Sequence, residues 1–254
     1  MNATRSILAG TALLAAALVM SWPSPAVARE SLADGCHEPA WLTDDIADVG
    51  NMARRYRKSG QIKIVALGSS STLGSGGSGP AAAWPARLQD ELARRLPKAQ
   101  VSVINRGKMR QSAQEMVERM ASDVESERPD LVIWEAGTAE AVRAIDVDQL
   151  THRLFEGVDR LTQRGIDVIL MDMQYARSTA RVINFERYVE AMSQVGTIRN
   201  IYVFQRFALM RGWVEDKHVS FDDQTPAEAI RGADRVYSCI ATFLSEVIVR
   251  SMAR

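Results

Sequence analysis

Histidine is scarce in this 254-residue chain, with His37, His152 and His218 its only three, and cysteine is limited to Cys36 and Cys239. The three imidazoles are scattered with no ligand spacing, so a transition-metal centre is not expected, and no cofactor is expected either. Net charge is missing as well: 31 Lys and Arg stand against 31 Asp and Glu. Nucleic acid is excluded as a partner on that ground, because a phosphate-facing surface needs an excess of cations. Internal repeats, low-complexity linkers and breaks in composition are all lacking, which makes one main domain the simplest count. Beyond the first residues, no uncharged run reaches the ~20 residues of a bilayer span. What is present is ordinary for a packed globular protein: 46% hydrophobic and 24% charged residues, a balance that rules out disorder, collagen and coiled coil.

The N-terminus reads as an export signal. Arg5 is a short positive region, an apolar run follows from Ile7 to Met20, and Pro23-Ser24-Pro25 breaks it. Ala26-Val27-Ala28 then supplies a small-x-small cleavage pattern. The alternative is an uncleaved membrane anchor, for which the run is short. Cleavage after Ala28 leaves 30 basic and 31 acidic groups. The organisation expected is a signal peptide over 1–28, an N-terminal arm over 29–59 and a single domain over 60–254, with a periplasmic or secreted location and no membrane span after cleavage. An oxidising compartment permits Cys36 and Cys239 to pair, tying the arm to the last helix; two unpaired buried thiols are the alternative.

Five short apolar, β-branched runs punctuate the mature chain: Ile62–Leu67, Val101–Ile104, Leu131–Trp134, Val168–Met171 and Ile201–Phe204. Helical patterns lie between and after them, at Ala83–Leu96, Ala113–Glu125, Gln149–Arg164, Phe185–Val195 and Arg235–Val249. Continuous apolar strands alternating with amphipathic helices predict a parallel sheet covered on both faces. Right-handed crossovers then make a three-layer α/β/α sandwich, with strand order 2-1-3-4-5 expected. Ligands of such sheets gather beyond the strand C-termini, where the order reverses. The segments placed there are Gly68–Gly74, Asn105–Arg110 and Glu135–Glu140. A long stretch, Gln205 to Gly232, reads as irregular and able to cover the same face.

Gly74-Ser75-Gly76-Gly77-Ser78-Gly79 is formally a G-x-G-x-x-G string, but it sits several residues late for a dinucleotide site, and Asn105 occupies the place of the ribose-binding acid. No Gly-Lys-Ser/Thr follows, which excludes a P-loop. The serines carry more. Ser70 directly follows a buried strand and precedes an expected helix start, a turn that exposes a hydroxyl beside free backbone N–H groups able to stabilise an oxyanion. The plainer alternative is that Ser69, Ser70 and Ser71 only satisfy turn and capping bonds.

Ala66-Leu67-Gly68-Ser69-Ser70-Ser71-Thr72-Leu73-Gly74 resembles the first block of the SGNH (GDSL) hydrolases, in the variant with Ser before the nucleophile. The resemblance runs over roughly residues 60 to 250, through Val103–Gly107, Leu131–Thr138 and Tyr237-Ser238-Cys239-Ile240-Ala241, and is nearest to exported alphaproteobacterial members. It implies a flavodoxin-like fold and metal-free hydrolysis of acyl or acetyl esters. The family uses a Ser nucleophile, a His base three residues after an Asp, and an oxyanion hole from the Ser backbone, a Gly and an Asn. Ser70 matches the nucleophile, and Gly68, Gly107, Gly137 and Thr138 fall in the matching loops. Arg110 stands where the second block has its Gly, and Ala139 stands where the third has its Asn. Glu228 and Arg231 stand at the Asp and His of the last block.

Each departure has a chemical meaning. A guanidinium stays protonated, so Arg231 cannot take a proton from Ser70. Ala139 offers no donor, and losing one oxyanion donor typically lowers the rate about 10²–10³-fold. Substitutes for the base are His218, in the long loop, and Lys108, if desolvated; the plain readings are a solvated loop histidine and a solvated lysine. His152 reads as a surface residue, and Asp172, ending the fourth strand, as a cap of the following turn. If the blocks converge as in the family, Arg110 and Arg231 share a cleft with Ser70, beside Glu140 and Glu228. That arrangement suits an anion clamp, unless Glu228 and Arg231 pair with each other and plug the pocket. Two classes of function remain: a monomeric envelope protein that binds an anionic or carbohydrate-like ligand or a partner without turnover, and an active serine esterase on a small ester with a substituted base.

Overall fold

The computed structural model describes residue 36 and residues 46–216 and 225–253; the expected signal peptide, His37 and His218 lie outside them. Five strands, β1 (Gln61–Gly68), β2 (Gln100–Gly107), β3 (Leu131–Glu135), β4 (Asp167–Met171) and β5 (Tyr202–Phe204), form one sheet in the order β2-β1-β3-β4-β5. Every pairing is parallel. All five residues of β3 and of β4 are buried, which is why they read as unbroken apolar runs.

Alternation along the strands divides the core in two. Ile62, Ile64, Ala66, Ile133, Ile169 and Met171 face one side and pack with α3 (Trp84–Arg95), α10 (Arg206–Glu215) and α11 (Pro226–Met252) through Leu88, Met210 and Leu244. Val65, Leu67, Val132, Trp134, Val168 and Leu170 face the other and meet α4 (Ala113–Glu118), α7 (Val147–Thr162) and α9 (Glu186–Arg199) through Met116, Leu154 and Met192. Gly157 lets α7 approach the sheet: a Cβ there would lie 2.4 Å from the Trp134 ring. The result is the expected three-layer α/β/α sandwich.

Local signals account for most boundaries, and several differ from expectation. Residues 50–59, assigned to the arm, form helix α1 (Gly50–Ser59). Asp167 receives the Met52 N–H at 2.8 Å and the Asn51 amide at 2.6 Å, fastening that helix to the start of β4. The pattern Ala113–Glu125 is not one helix: α4 stops at Glu118 and α5 (Met120–Asp123) begins after Arg119, followed by a 3₁₀ turn at Glu125–Glu127. The break falls at Arg119, whose guanidinium donates to the carbonyls of Gly68 (3.2 Å) and Arg106 (2.9 Å) at the ends of β1 and β2. The stretch Gln205–Gly232 is not irregular throughout. It contains α10, which buries Phe207, Leu209, Met210 and Trp213, and the opening turns of α11. Helix α11 starts at Pro226 rather than Arg235, because Thr225 and Glu228 close a capping box around Pro at its first position. Three short helices, α2 (Ser70–Leu73), α6 (Thr138–Val142) and α8 (Arg177–Ala180), and a 3₁₀ turn at Pro80–Ala82 complete the described elements.

Cys36 and Cys239 are joined in a disulfide, 203 residues apart in sequence, with Cα atoms 5.3 Å apart. Among the described residues no helix is long and apolar enough to cross a membrane.

Candidate functional site

The loops that follow β1, β2 and β3 lie side by side at one end of the sheet. Ser70 opens α2 (Ser70–Leu73), a single helical turn directly after β1. Its carbonyl accepts from the N–H groups of Gly74 and Ser75, so the turn is closed on itself, and the residue is half-buried. The hydroxyl oxygen accepts the backbone N–H of Arg110 at 2.9 Å. Arg110 holds φ +57°, the left-handed region where a side chain is normally disfavoured by about 1–2 kcal/mol. Arg110 therefore holds a backbone conformation that glycine adopts more readily, with its N–H directed at Ser70.

Neighbouring loops brace this turn. Asn105 donates its amide to the Thr72 carbonyl (2.7 Å) and accepts the Gly107 N–H (2.8 Å). Gly107 has no room for a side chain: a Cβ would stand 2.3 Å from the Leu73 nitrogen. Gly68 is equally confined, by Thr72 Oγ1 and Glu135.

Underneath lies a buried ion pair that sequence reasoning missed. Glu135, the last residue of β3, accepts the Ser69 N–H (2.7 Å), the Ser69 hydroxyl (3.0 Å) and the Thr72 hydroxyl (3.1 Å). Arg206 bonds Glu135 at 3.2 Å and donates to the Ser71 hydroxyl at 2.9 Å. Both side chains are fully buried. Two of the three serines are thus structural, as the plainer reading of that run had it, and Ser70 alone presents its hydroxyl to the Arg110 loop. The available signals were an acid closing a wholly apolar strand and an arginine two residues after the end of β5. Asp172, at the end of β4, caps α10 rather than the turn after its own strand, accepting the Phe207 N–H at 2.7 Å. Complete burial pushes its carboxyl up to about 7, against the Phe207 N–H and the Arg206 charge.

The other candidate residues separate into different surroundings. Glu140, expected beside Ser70, is buried as a brace: it accepts the N–H of Ala113, at the start of α4, and that of Gly137 at 3.1 Å. Burial raises its carboxyl despite those donors. Gly137 adopts φ +90°, and the Thr138 hydroxyl is buried without a hydrogen-bond partner. Ala139 presents only a methyl group, 8% exposed. Glu228 is exposed, and the hydroxyl and N–H of Thr225 hold its carboxyl low. Arg231 is exposed one turn further on.

Contact between α11 and the Gly-rich loop comes next along the helix. Asp234 accepts the Ser78 N–H at 2.8 Å and its hydroxyl at 2.5 Å, and the Tyr237 hydroxyl donates to the Ser75 carbonyl at 2.6 Å. Burial pushes the Tyr237 phenol up to about 12. Gly77 lies against both side chains, since a Cβ there would meet Asp234 at 2.5 Å.

Lys108 is exposed, as its plain reading had it, and pairs with Asp123 at 2.9 Å. Burial opposes the Asp123 charge, but bonds from Lys108, Arg119 and Ser122 outweigh it and hold that carboxyl at about 2. His152, the one imidazole among the described residues, stands on α7 in a polar cleft of about 280 Å³ with Gln114, Asp148, Gln149 and Arg153. Among the described residues no group of three or more His, Cys, Asp or Glu is arranged to hold a metal ion.

Chemically, the site is a hydroxyl at a strand-to-helix turn, held by the backbone N–H of Arg110 and braced from below by a buried ion pair. Comparison with known proteins agrees with this architecture. Among solved structures, a lipase/acylhydrolase from Enterococcus faecalis is similar, at 24% identity and a TM-score of 0.57, over 74% of this chain and 94% of that one. A catalytic mutant of an acetylxylan esterase from Geobacillus stearothermophilus matches at 17% identity and 0.58, over 75% and 94%. A two-domain esterase active on acetylated mannans matches at 20% identity and 0.60, over 82% of this chain and 56% of that one. No curated protein sequence matches. The family model described as the Non-GDSL lipase-like family matches residues 35–254. With that match spanning nearly the whole chain, and with the parallel sheet and serine turn of the SGNH hydrolases in place, the chain belongs to the Non-GDSL lipase-like family.

Proposed function

We propose that this protein is an exported, catalytically silent member of its family that binds an anionic or carbohydrate-like ligand, or a protein partner, in the cell envelope. The observation that carries this reading is the setting of Ser70. Its hydroxyl is hydrogen-bonded to a donor, the Arg110 N–H. At the family's base position stands Arg231, which stays protonated and accepts no proton. The acid position, Glu228, is engaged in the cap of α11, and Ala139 supplies no oxyanion donor. A serine without a base keeps its proton and is a poor nucleophile.

We assign Arg110 and Arg231, both exposed, to an anion clamp, the guanidinium being suited to bidentate contact with carboxylate, phosphate or sulfate. The activity of two structurally similar proteins on acetylated polysaccharides makes a saccharide a reasonable ligand class for this fold, as analogy only. Treating the mature protein with a fluorophosphonate probe tests the reading: no label on Ser70 is expected, and covalent labelling of Ser70 overturns it.

A second reading, an active esterase using His218 as base, is favoured by one specific observation. In its bond with the Arg110 N–H the half-buried Ser70 hydroxyl is the acceptor, so its own proton is not committed there. Labelling of Ser70 that disappears in His218→Ala establishes this reading in place of the first.

A further inference from the structure

We infer that a cleft at the opposite end of the sheet from Ser70 is a second binding site, for a small saccharide bearing a phosphate or sulfate group. It is an open cleft of about 590 Å³ where the end of α1, the start of β1 and the turn before β3 meet. Its charged lining is Arg55, Lys58, Lys63 and Arg128, against Glu127 and Asp130. The cleft lies at the start of β1 and the serine turn follows its end; the eight residues of that strand span about 26 Å at the rise of a parallel strand. The inference is independent of whether Ser70 is active.

Both carboxylates are already engaged. Asp130 accepts the Lys63 N–H at 2.8 Å and pairs with Arg55 at 3.1 Å. Glu127 pairs with Arg106 at 2.5 Å and stands 3.9 Å from the Lys63 ammonium, which donates to the Glu127 carbonyl at 3.0 Å. Those contacts leave an excess of positive charge on the cleft wall. Lys58 and Arg128 are exposed, and among the described residues neither side chain has an ion-pair or hydrogen-bond partner.

Arg128 also holds φ +50° and ψ +55° at the end of the 3₁₀ turn, a left-handed conformation that glycine or asparagine adopts at lower cost. Such strain often marks a position kept for the direction of its side chain.

Two guanidiniums and two ammoniums converging from three elements fit a multivalent oxyanion, which they can contact through forked and point-charge donors. A bare ion is much smaller than this cleft, whose volume lies within the range of about 300–1,000 Å³ usual for small-molecule sites. The remaining wall, with Gln61 and Ser126, is polar and suited to hydroxyl groups.

Isothermal titration of the mature protein with glucose 6-phosphate and glucose 6-sulfate, against glucose and inorganic phosphate, tests the proposal. At least one charged sugar should bind in the millimolar range or tighter, and which one binds more tightly identifies the anion. Glucose should show no heat, and inorganic phosphate should bind about tenfold more weakly than the charged sugar. Lys58→Glu/Arg128→Glu should weaken binding of the charged sugar by about tenfold or more, while Arg110→Ala/Arg231→Ala leaves it unchanged. The proposal is overturned by absence of binding at about ten millimolar, by affinity unchanged in Lys58→Glu/Arg128→Glu, or by loss of binding in the Arg110/Arg231 variant. Inorganic phosphate binding as tightly as the charged sugar overturns the saccharide part of it.

Discussion

Ser70 and Arg110 are joined through the hydroxyl of one and the main chain of the other, at 2.9 Å. The bond is made by the main chain of Arg110, so it does not depend on the arginine side chain. What the arginine changes is strain and charge at the rim. Arg110→Gly should relieve the left-handed backbone at φ +57° and raise stability by about 0.5–1 kcal/mol, after allowing for the extra freedom of glycine in the unfolded chain. Thermal unfolding checks it: a rise of about 1–4 °C is expected for a domain of this size. A fall would show that the arginine side chain itself holds the loop.

The Glu135–Arg206 pair beneath the serine turn should respond asymmetrically to substitution. Arg206→Met leaves a buried carboxylate without its cation, an error of about 3–5 kcal/mol. Glu135→Gln keeps an acceptor for the Ser69 and Thr72 donors and should be less damaging. Urea unfolding of the two variants gives the comparison, and equal losses would contradict the assigned role of the pair.

Asp172 predicts a pH dependence with a definite sign. Its folded carboxyl is raised to about 7, above the unfolded value of about 4. The folded state therefore holds a proton that the unfolded state releases between those values, and the Asp172 contribution to stability falls as pH rises from about 4 to 7. Asp172→Asn retains an acceptor for Phe207 and should flatten that part of the stability–pH curve. An unchanged slope would remove Asp172 as its source.

Reduction of Cys36–Cys239 should loosen the protein markedly. The bridge closes 203 residues, for which the chain-entropy account gives about 5 kcal/mol. Thermal unfolding with and without reductant measures it, and an unchanged midpoint would mean that the bridge contributes little.

The rim arginines make a separate prediction. Glucuronate at about ten times its dissociation constant should stabilise the mature protein by about 1.4 kcal/mol. That shift should vanish in Arg110→Ala/Arg231→Ala and persist in Lys58→Glu/Arg128→Glu. A shift of equal size in the Arg110/Arg231 variant would defeat the clamp.

Much of the fold was legible because its physics is local. Strands buried on both faces read as uninterrupted apolar runs, such as Leu131–Trp134, and the parallel α/β pattern limits the possible topologies. Helix α10 and the start of α11 were hidden for a different reason. Gly212 and Gly232 sit inside helices and read as loop residues, although the Thr225-Pro226-Ala227-Glu228 cap was visible. The site was legible only at Ser70. Glu135 and Arg206 are 71 residues apart in sequence, and nothing local announces that a buried acid will find a buried base. Glu140 illustrates the converse: position in a matching block suggested an open cleft, whereas its contacts make it a structural brace.

Hydrolysis of p-nitrophenyl acetate by the mature protein is the most direct test of catalytic silence. The account predicts a rate no greater than that of Ser70→Ala measured alongside. A rate clearly above that variant, lost again in His218→Ala, would contradict it and make the serine a working nucleophile.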